Sequence, residues 1–157
     1  MLNIKKIFLV LSIFLLQLNA CTLIDLYEKT INFSTHEWVS TQKPEFDFTI
    51  SDTAFFYSPF LVVRHKGEYN FNNIWLKISI KPPNDSLQIF RFEKTLATNE
   101  KGWLASGLND IYEHRIPMVF PNFRVQKPGN YKVVVEQIMR EDTLRNLISI
   151  GFRIEKN

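Results

Sequence analysis

Polar and apolar residues alternate strictly along several stretches of the chain. Phe46, Phe48 and Ile50 alternate with Glu45, Asp47, Thr49 and Ser51, and Ile74, Leu76, Ile78 and Ile80 with Trp75, Lys77, Ser79 and Lys81. Tyr131, Val133 and Val135 alternate with Lys132, Val134 and Glu136, and Ile148, Ile150, Phe152 and Ile154 with Ser149, Gly151, Arg153 and Glu155. Successive side chains of a strand point to opposite faces, so this pattern predicts antiparallel strands with one face buried and the other wet. Phe60–His65 and Leu87–Thr95 are rich in β-formers but alternate less cleanly, which predicts strands covered on both faces. Ile116–Arg124 predicts a further strand, confined to an edge by Pro117 and Pro121. Turn chemistry separates the runs at Lys81-Pro82-Pro83-Asn84-Asp85, Glu100-Lys101-Gly102 and Lys127-Pro128-Gly129-Asn130. The sum is an all-β chain, a single antiparallel β-sandwich of six to eight strands. Helix is expected only as a turn or two at Leu23–Phe33 and Leu108–His114.

The first residues follow another rule. Lys5 and Lys6 precede an apolar run, Ile7 to Leu16, broken only by Ser12. About ten residues span too little of a ~30 Å hydrocarbon core for a stable transmembrane helix, whereas they suit the apolar segment of a secretory signal. Leu18-Asn19-Ala20-Cys21 follows and resembles the lipobox of bacterial lipoproteins, in which the cysteine thiol is diacylated and the new amino terminus acylated after cleavage. Asn19 departs from the small or hydroxylated residue usual there. Two or three acyl chains such as palmitate anchor durably, because each buried methylene contributes ~0.8 kcal/mol. The other reading is an ordinary signal followed by an incidental thiol. The expected organisation is a signal peptide at 1–20, a lipidated tether at 21–40 and the sandwich at 41–157. No acidic run follows Cys21, which favours the periplasmic face.

Composition agrees with one globular domain. Of 157 residues, 45% are hydrophobic and 22% charged, with fourteen Phe against five Gly. The formal charge of +3 falls to +1 without Lys5 and Lys6, so it is a targeting feature and no nucleic-acid footprint. The single cysteine excludes an intramolecular disulfide and a multi-Cys metal site. No G-x-S-x-G elbow, Gly-rich phosphate loop or H-E-x-x-H is present, and no cofactor or catalytic set is expected. Asp110, Glu113 and His114 are the nearest approach to a metal or acid–base cluster, against a solvated loop with local capping. Glu136-Gln137 interrupts the Val133-Val134-Val135 strand, which points to hydrogen bonds across the sandwich, the end of the buried stretch, or a ligand contact. Trp75 falls on the polar face beside Lys77 and Lys81. Either a loop folds over it, or the indole stacks on a sugar ring or anchors a protein contact, with the lysines steering an acidic ligand. Trp103 is expected beneath Leu104 and Leu108, and Trp38 to pin the tether to the sandwich.

A succession of short pieces carries a family resemblance. After the lipobox and a Trp come Ile50-Ser51-Asp52-Thr53, Asn73-Ile74-Trp75-Leu76 and Lys101-Gly102-Trp103-Leu104-Ala105-Ser106-Gly107. Asn109-Asp110-Ile111-Tyr112, Val135-Glu136-Gln137-Ile138-Met139-Arg140 and Ile150-Gly151-Phe152-Arg153-Ile154-Glu155-Lys156 complete it. In this order they resemble the gliding-motility lipoprotein H (GldH) family of Bacteroidota. The resemblance implies a non-enzymatic lipoprotein of the gliding apparatus, associated with type IX secretion and lipid-anchored at the outer membrane facing the periplasm. It implies partners among other envelope motility or secretion lipoproteins and membrane proteins, and a bilayer contact through Cys21. The expected working surface is Trp75, Lys77, Lys81 and Tyr112; the alternative is an envelope glycan-binding module presenting Trp75 and Tyr112.

Overall fold

A computed structural model describes residues 25–120 and 124–156, so the signal segment and Cys21 lie outside the described residues. Thirteen strands follow one another: β1 Asp25–Asn32, β2 Glu37–Val39, β3 Glu45–Ile50, β4 Tyr57–Lys66, β5 Asn73–Lys81, β6 Gln88–Thr95 and β7 Ala97–Thr98. The remainder are β8 Gly102–Trp103, β9 Ser106–Leu108, β10 Ile111–Pro117, β11 Gly129–Gln137, β12 Thr143–Arg145 and β13 Leu147–Lys156. Among the described residues there is no helix.

Nine strands build two antiparallel sheets, β1-β13-β4-β10-β9 and β3-β11-β5-β6; β12-β2 and β7-β8 are short ribbons at their margins. The alternating apolar faces meet between the sheets. Phe152 of β13 lies 5.7 Å from Phe46 and 5.4 Å from Phe48, and Tyr27 of β1 lies 5.6 Å from Phe48. Leu61, Val63, Ile74, Leu76, Ile78, Val135 and Ile150 fill the rest and are buried. Each such side chain contributes about 1.5–3 kcal/mol by leaving water, and this shared interior holds the layers together.

The sandwich begins earlier than the alternation suggests. Residues 25–32, within the expected tether, pair with β13 as an edge strand, and 37–39 pair with β12. The helix expected at Leu23–Phe33 is therefore, in its described part, β1 at Asp25–Asn32. Its pattern is masked by Lys29, which shares the inward parity of Tyr27 and Ile31 yet carries its ammonium out to the Glu45 carbonyl at 3.1 Å. Trp38 does pin this segment, buried and stacked 5.3 Å from Phe33. The expected helix at Leu108–His114 is the β9–β10 hairpin. Asn109 and Asp110 form its turn with φ of 51° and 64°, the paired positive φ of a tight hairpin turn in residues that tolerate it.

Two further strands differ from expectation. β10 ends at Pro117, so the strand expected over Ile116–Arg124 lies earlier in the chain. β6 is an edge strand alternating half-buried with exposed positions, its Ile89 open to solvent, and is covered on one face only. β4 fits the two-sided reading, with Leu61, Val62 and Val63 consecutively buried between β13 and β10.

The sandwich has two distinct ends. At one, Asp25 pairs with Glu155, Lys156 with Tyr57, Pro117 with Phe60 and Gly129 with Ile50. At the other lie Asn32, Leu147, Ile111, Gln137 and the start of β5.

Candidate functional site

Period two on β5 sends Ile74, Leu76, Ile78 and Ile80 inward and leaves Trp75, Lys77 and Lys81 on the outer face. Trp75 is 41% exposed, so no loop closes over it. Cross-strand partners complete this face: Glu93 of β6 lies opposite Trp75, Glu136 of β11 opposite Lys77, and Lys132 opposite Lys81.

The charges here are largely committed to one another. The Glu136 carboxylate accepts from the ammonium groups of Lys77 at 2.6 Å and Lys43 at 2.8 Å. Burial pushes this carboxyl up, but its hydrogen bonds to Lys43 and Lys77 and their charges outweigh that and hold it below the usual carboxylate range. Lys77 is therefore bound in place rather than free to steer an acidic ligand. Lys81 likewise donates to the Asp85 carbonyl at 2.5 Å.

Arg140 is a cation without such a commitment. Beyond the end of β11 the chain folds back toward the start of β5, and Phe71, Asn73, Trp75, Ile138, Met139 and Arg140 line a groove of about 500 Å³. Buried Gln137 builds this loop. Its amide nitrogen donates to the Glu141 and Asp142 carbonyls, both at 3.2 Å, and its oxygen accepts from the Met139 N–H at 2.9 Å. The polar interruption of β11 thus has a structural use. The Trp75 carbonyl accepts from the Ile138 N–H at 3.0 Å, while the Trp75 N–H donates to Met139 Sδ at 3.2 Å. Arg140 forms no ion pair among the described residues. An aromatic and thioether floor beside an unpaired guanidinium suits an apolar group carrying an acid.

Tyr112 does not join this surface. It belongs to β10 in the other sheet, stacking 5.7 Å from His65 and lying 5.7 Å from Trp103. Trp103 packs on His65 at 4.3 Å rather than beneath Leu104 and Leu108, both of which are exposed. Asp110, Glu113 and His114 are likewise dispersed. Asp110 sits in the hairpin turn, Glu113 pairs with Arg64 at 2.5 Å, and alternation turns His114 inward.

There His114 meets His65, which stands 49 positions earlier, a partnership that spacing along the chain could not reveal. Both are buried, with their Nε2 atoms 3.0 Å apart. His65 Nδ1 lies 2.7 Å from the Lys66 carbonyl and so carries the proton there; its Nε2 accepts from the protonated Nε2 of His114. Burial, with His65 and Lys94 nearby, pushes His114 down to about 4. Burial also lowers His65, opposed by the Lys66 carbonyl and Asp110. Both rings are neutral at pH 7, serving as a polar rivet among Tyr69, Trp103 and Tyr112.

With this geometry in place, relatives can be compared. The family model described as GldH lipoprotein matches residues 25–154, the whole span from β1 almost to the end of β13. The chain belongs to the GldH lipoprotein family. The gliding motility lipoprotein GldH homolog of Christiangramia forsetii is 28% identical over 131 residues, 79% of this chain and 80% of that protein. The gliding motility lipoprotein GldH of Flavobacterium johnsoniae is 27% identical over 126 residues, 76% and 77% of the two chains. Among solved structures, the cellulose-specific carbohydrate-binding module CBM28 is similar with a TM-score of 0.42 at 12% identity, covering 82% of this chain and 70% of that one. TmCBM61, solved with β-1,4-galactotriose, has a TM-score of 0.35 at 10% identity, covering 83% and 88%. Scores this low carry no argument about binding in this GldH-family chain. As a member of a lipoprotein family, it is a membrane-anchored envelope protein.

Proposed function

We propose that this GldH-family protein is a non-enzymatic docking component of the gliding-motility apparatus and its associated type IX secretion machinery. Acylated Cys21 holds it at the outer membrane with the sandwich in the periplasm, and the Trp75 face receives an envelope protein. The half-exposed Trp75 over a groove built by Gln137 supports this reading most directly. An indole left in water gives up contact that a partner would recover, and such residues dominate binding energy at interfaces. Arg140 gives the site a preference for an apolar segment bearing an acidic group.

Two experiments test the proposal. Replacement of Cys21 by Ser is expected to release the protein from the membrane fraction or leave it uncleaved; unchanged mass and fractionation would refute the anchor. A photocrosslinker in place of Trp75 is expected to capture an envelope motility or secretion protein from native membranes, and Arg140→Glu to reduce that capture. Retention on a glycan matrix that is lost with Trp75→Ala, without any captured protein, would replace the docking role with glycan binding.

A further inference from the structure

We infer that the end of the sandwich from which β1 starts is a membrane-contact surface, inserting Phe55, Phe56 and Val119 into the interface of the phospholipid leaflet. The inference rests on acylation at Cys21. Four peptide steps separate Cys21 from Asp25. A chain advances at most about 3.6 Å per residue, so the acylated cysteine lies within about 14 Å of the start of β1.

What that end displays is what a bilayer surface accepts. The loop between β3 and β4 leads into Tyr57, which pairs with Lys156 beside the Asp25–Glu155 pair. It carries Phe55 and Phe56, 41% and 63% exposed. The loop is held rather than loose, since the Ala54 N–H donates to Asp52 at 2.9 Å and the Tyr57 hydroxyl to the Asp52 carbonyl at 2.6 Å. Val119, 85% exposed, follows Met118, whose N–H donates to the Pro59 carbonyl in the same region. Adjacent phenylalanines in a Ser-Asp-Thr-Ala loop are the trace of this surface in the sequence.

Cations share this end. Lys156 lies over the Phe55 ring and pairs with Asp52 at 3.5 Å, Lys127 pairs with Asp85 at 2.5 Å, and Arg124 forms no ion pair among the described residues. The Tyr57–Val125 bridge holds the 124–127 segment here. With both lysines engaged by carboxylates, Arg124 is the one of these three cations free to meet a headgroup phosphate, below aromatic rings at the acyl boundary, as in interfacial membrane binding. The anchor brings lipid to this surface before any other occupant, which favours the leaflet over a protein.

The test uses the full lipidated protein reconstituted into phosphatidylethanolamine–phosphatidylglycerol vesicles with and without brominated acyl chains, which quench nearby tryptophan. The three native tryptophans supply the baseline: Trp38 is buried, Trp75 stands at the opposite end, and so does Trp103, packed on His65. Phe56→Trp is expected to lose about half of its added fluorescence in brominated vesicles, as a ring ~5–10 Å into the interface would. Val119→Trp, at a site with almost no packing to disturb, is expected to behave alike. If both variants float with the vesicles and neither is quenched beyond the wild type, the contact surface is refuted and the anchor stands. If the wild type does not float at all, both fall.

Discussion

Acidification favours the unfolded chain, whose His114 accepts a proton that the folded His65–His114 pair resists. An unfolded histidine titrates at 6.5, whereas folded His114 titrates at about 4. Between those values the unfolded chain binds more protons than the folded one, so stability is intact above about pH 6.5 and falls as the pH drops toward 4. With about 1.36 kcal/mol for each tenfold change in proton affinity, passage from about pH 7 to about pH 5 removes about 2 kcal/mol. His65 is shifted the same way and adds to the loss. For a domain of this size each kcal/mol moves the melting temperature by roughly 3–5 °C, so a drop of about 6–10 °C is expected. The assay is thermal denaturation of the full-length protein in detergent at the two pH values, alongside His114→Gln. Glutamine keeps a donor for His65 Nε2 but cannot titrate, so this variant is expected to start less stable and to lose well under half as much on acidification. Equal pH responses in the two proteins would refute the reasoning.

Three other perturbations separate structural from surface roles. Trp38→Ala empties a fully buried site stacked on Phe33 and is expected to cost ~3–5 kcal/mol, against about 1 kcal/mol or less for half-exposed Trp75→Ala; chemical denaturation giving the reverse order would move Trp75 into the core. Gln137→Leu removes three hydrogen bonds and is expected to cost about 1–3 kcal/mol, with faster amide exchange at Met139; protection there unchanged would show that Gln137 does not hold the groove. Gly129→Ala forces a Cβ onto a residue with φ of 125° and places it 2.7 Å from Pro83 Cβ, so at least ~1 kcal/mol should be lost in thermal denaturation, and a neutral result would refute the close approach.

The strands that alternate cleanly were legible because burial on one face leaves a period that no tertiary detail disturbs. β1 was not, since Lys29 is long enough to stand on the inward side and still reach solvent. The β9–β10 hairpin was hidden because Asn109-Asp110 adopts the turn that Asn-Gly would have announced. Trp75 was placed correctly on the outer face by parity alone. The rest of its groove was invisible, because Phe71 approaches through the β4–β5 loop and Arg140 through one that Gln137 fixes, and loop geometry has no period. Tyr112 was misplaced for a related reason. Parity tells one face from the other, but not that β10 would turn Tyr112 onto His65 from a strand remote in sequence.

The position of β1 at the edge of its sheet also sets how the domain bears mechanical load. Seven register pairs tie it to β13, and the two strands run in opposite directions, so residues 25 and 156 lie at the same end. Tension applied between those two termini would open the ladder like a zipper, one pair at a time. Tension between the start of β1 and the Trp75 groove runs along the strands instead, because the groove lies at the opposite end. It loads the pairs in shear, so they must yield together, and survival is set by the rate of forced unfolding rather than by equilibrium stability. The point at which a pulling force is applied to the domain therefore decides whether the sheet peels or holds.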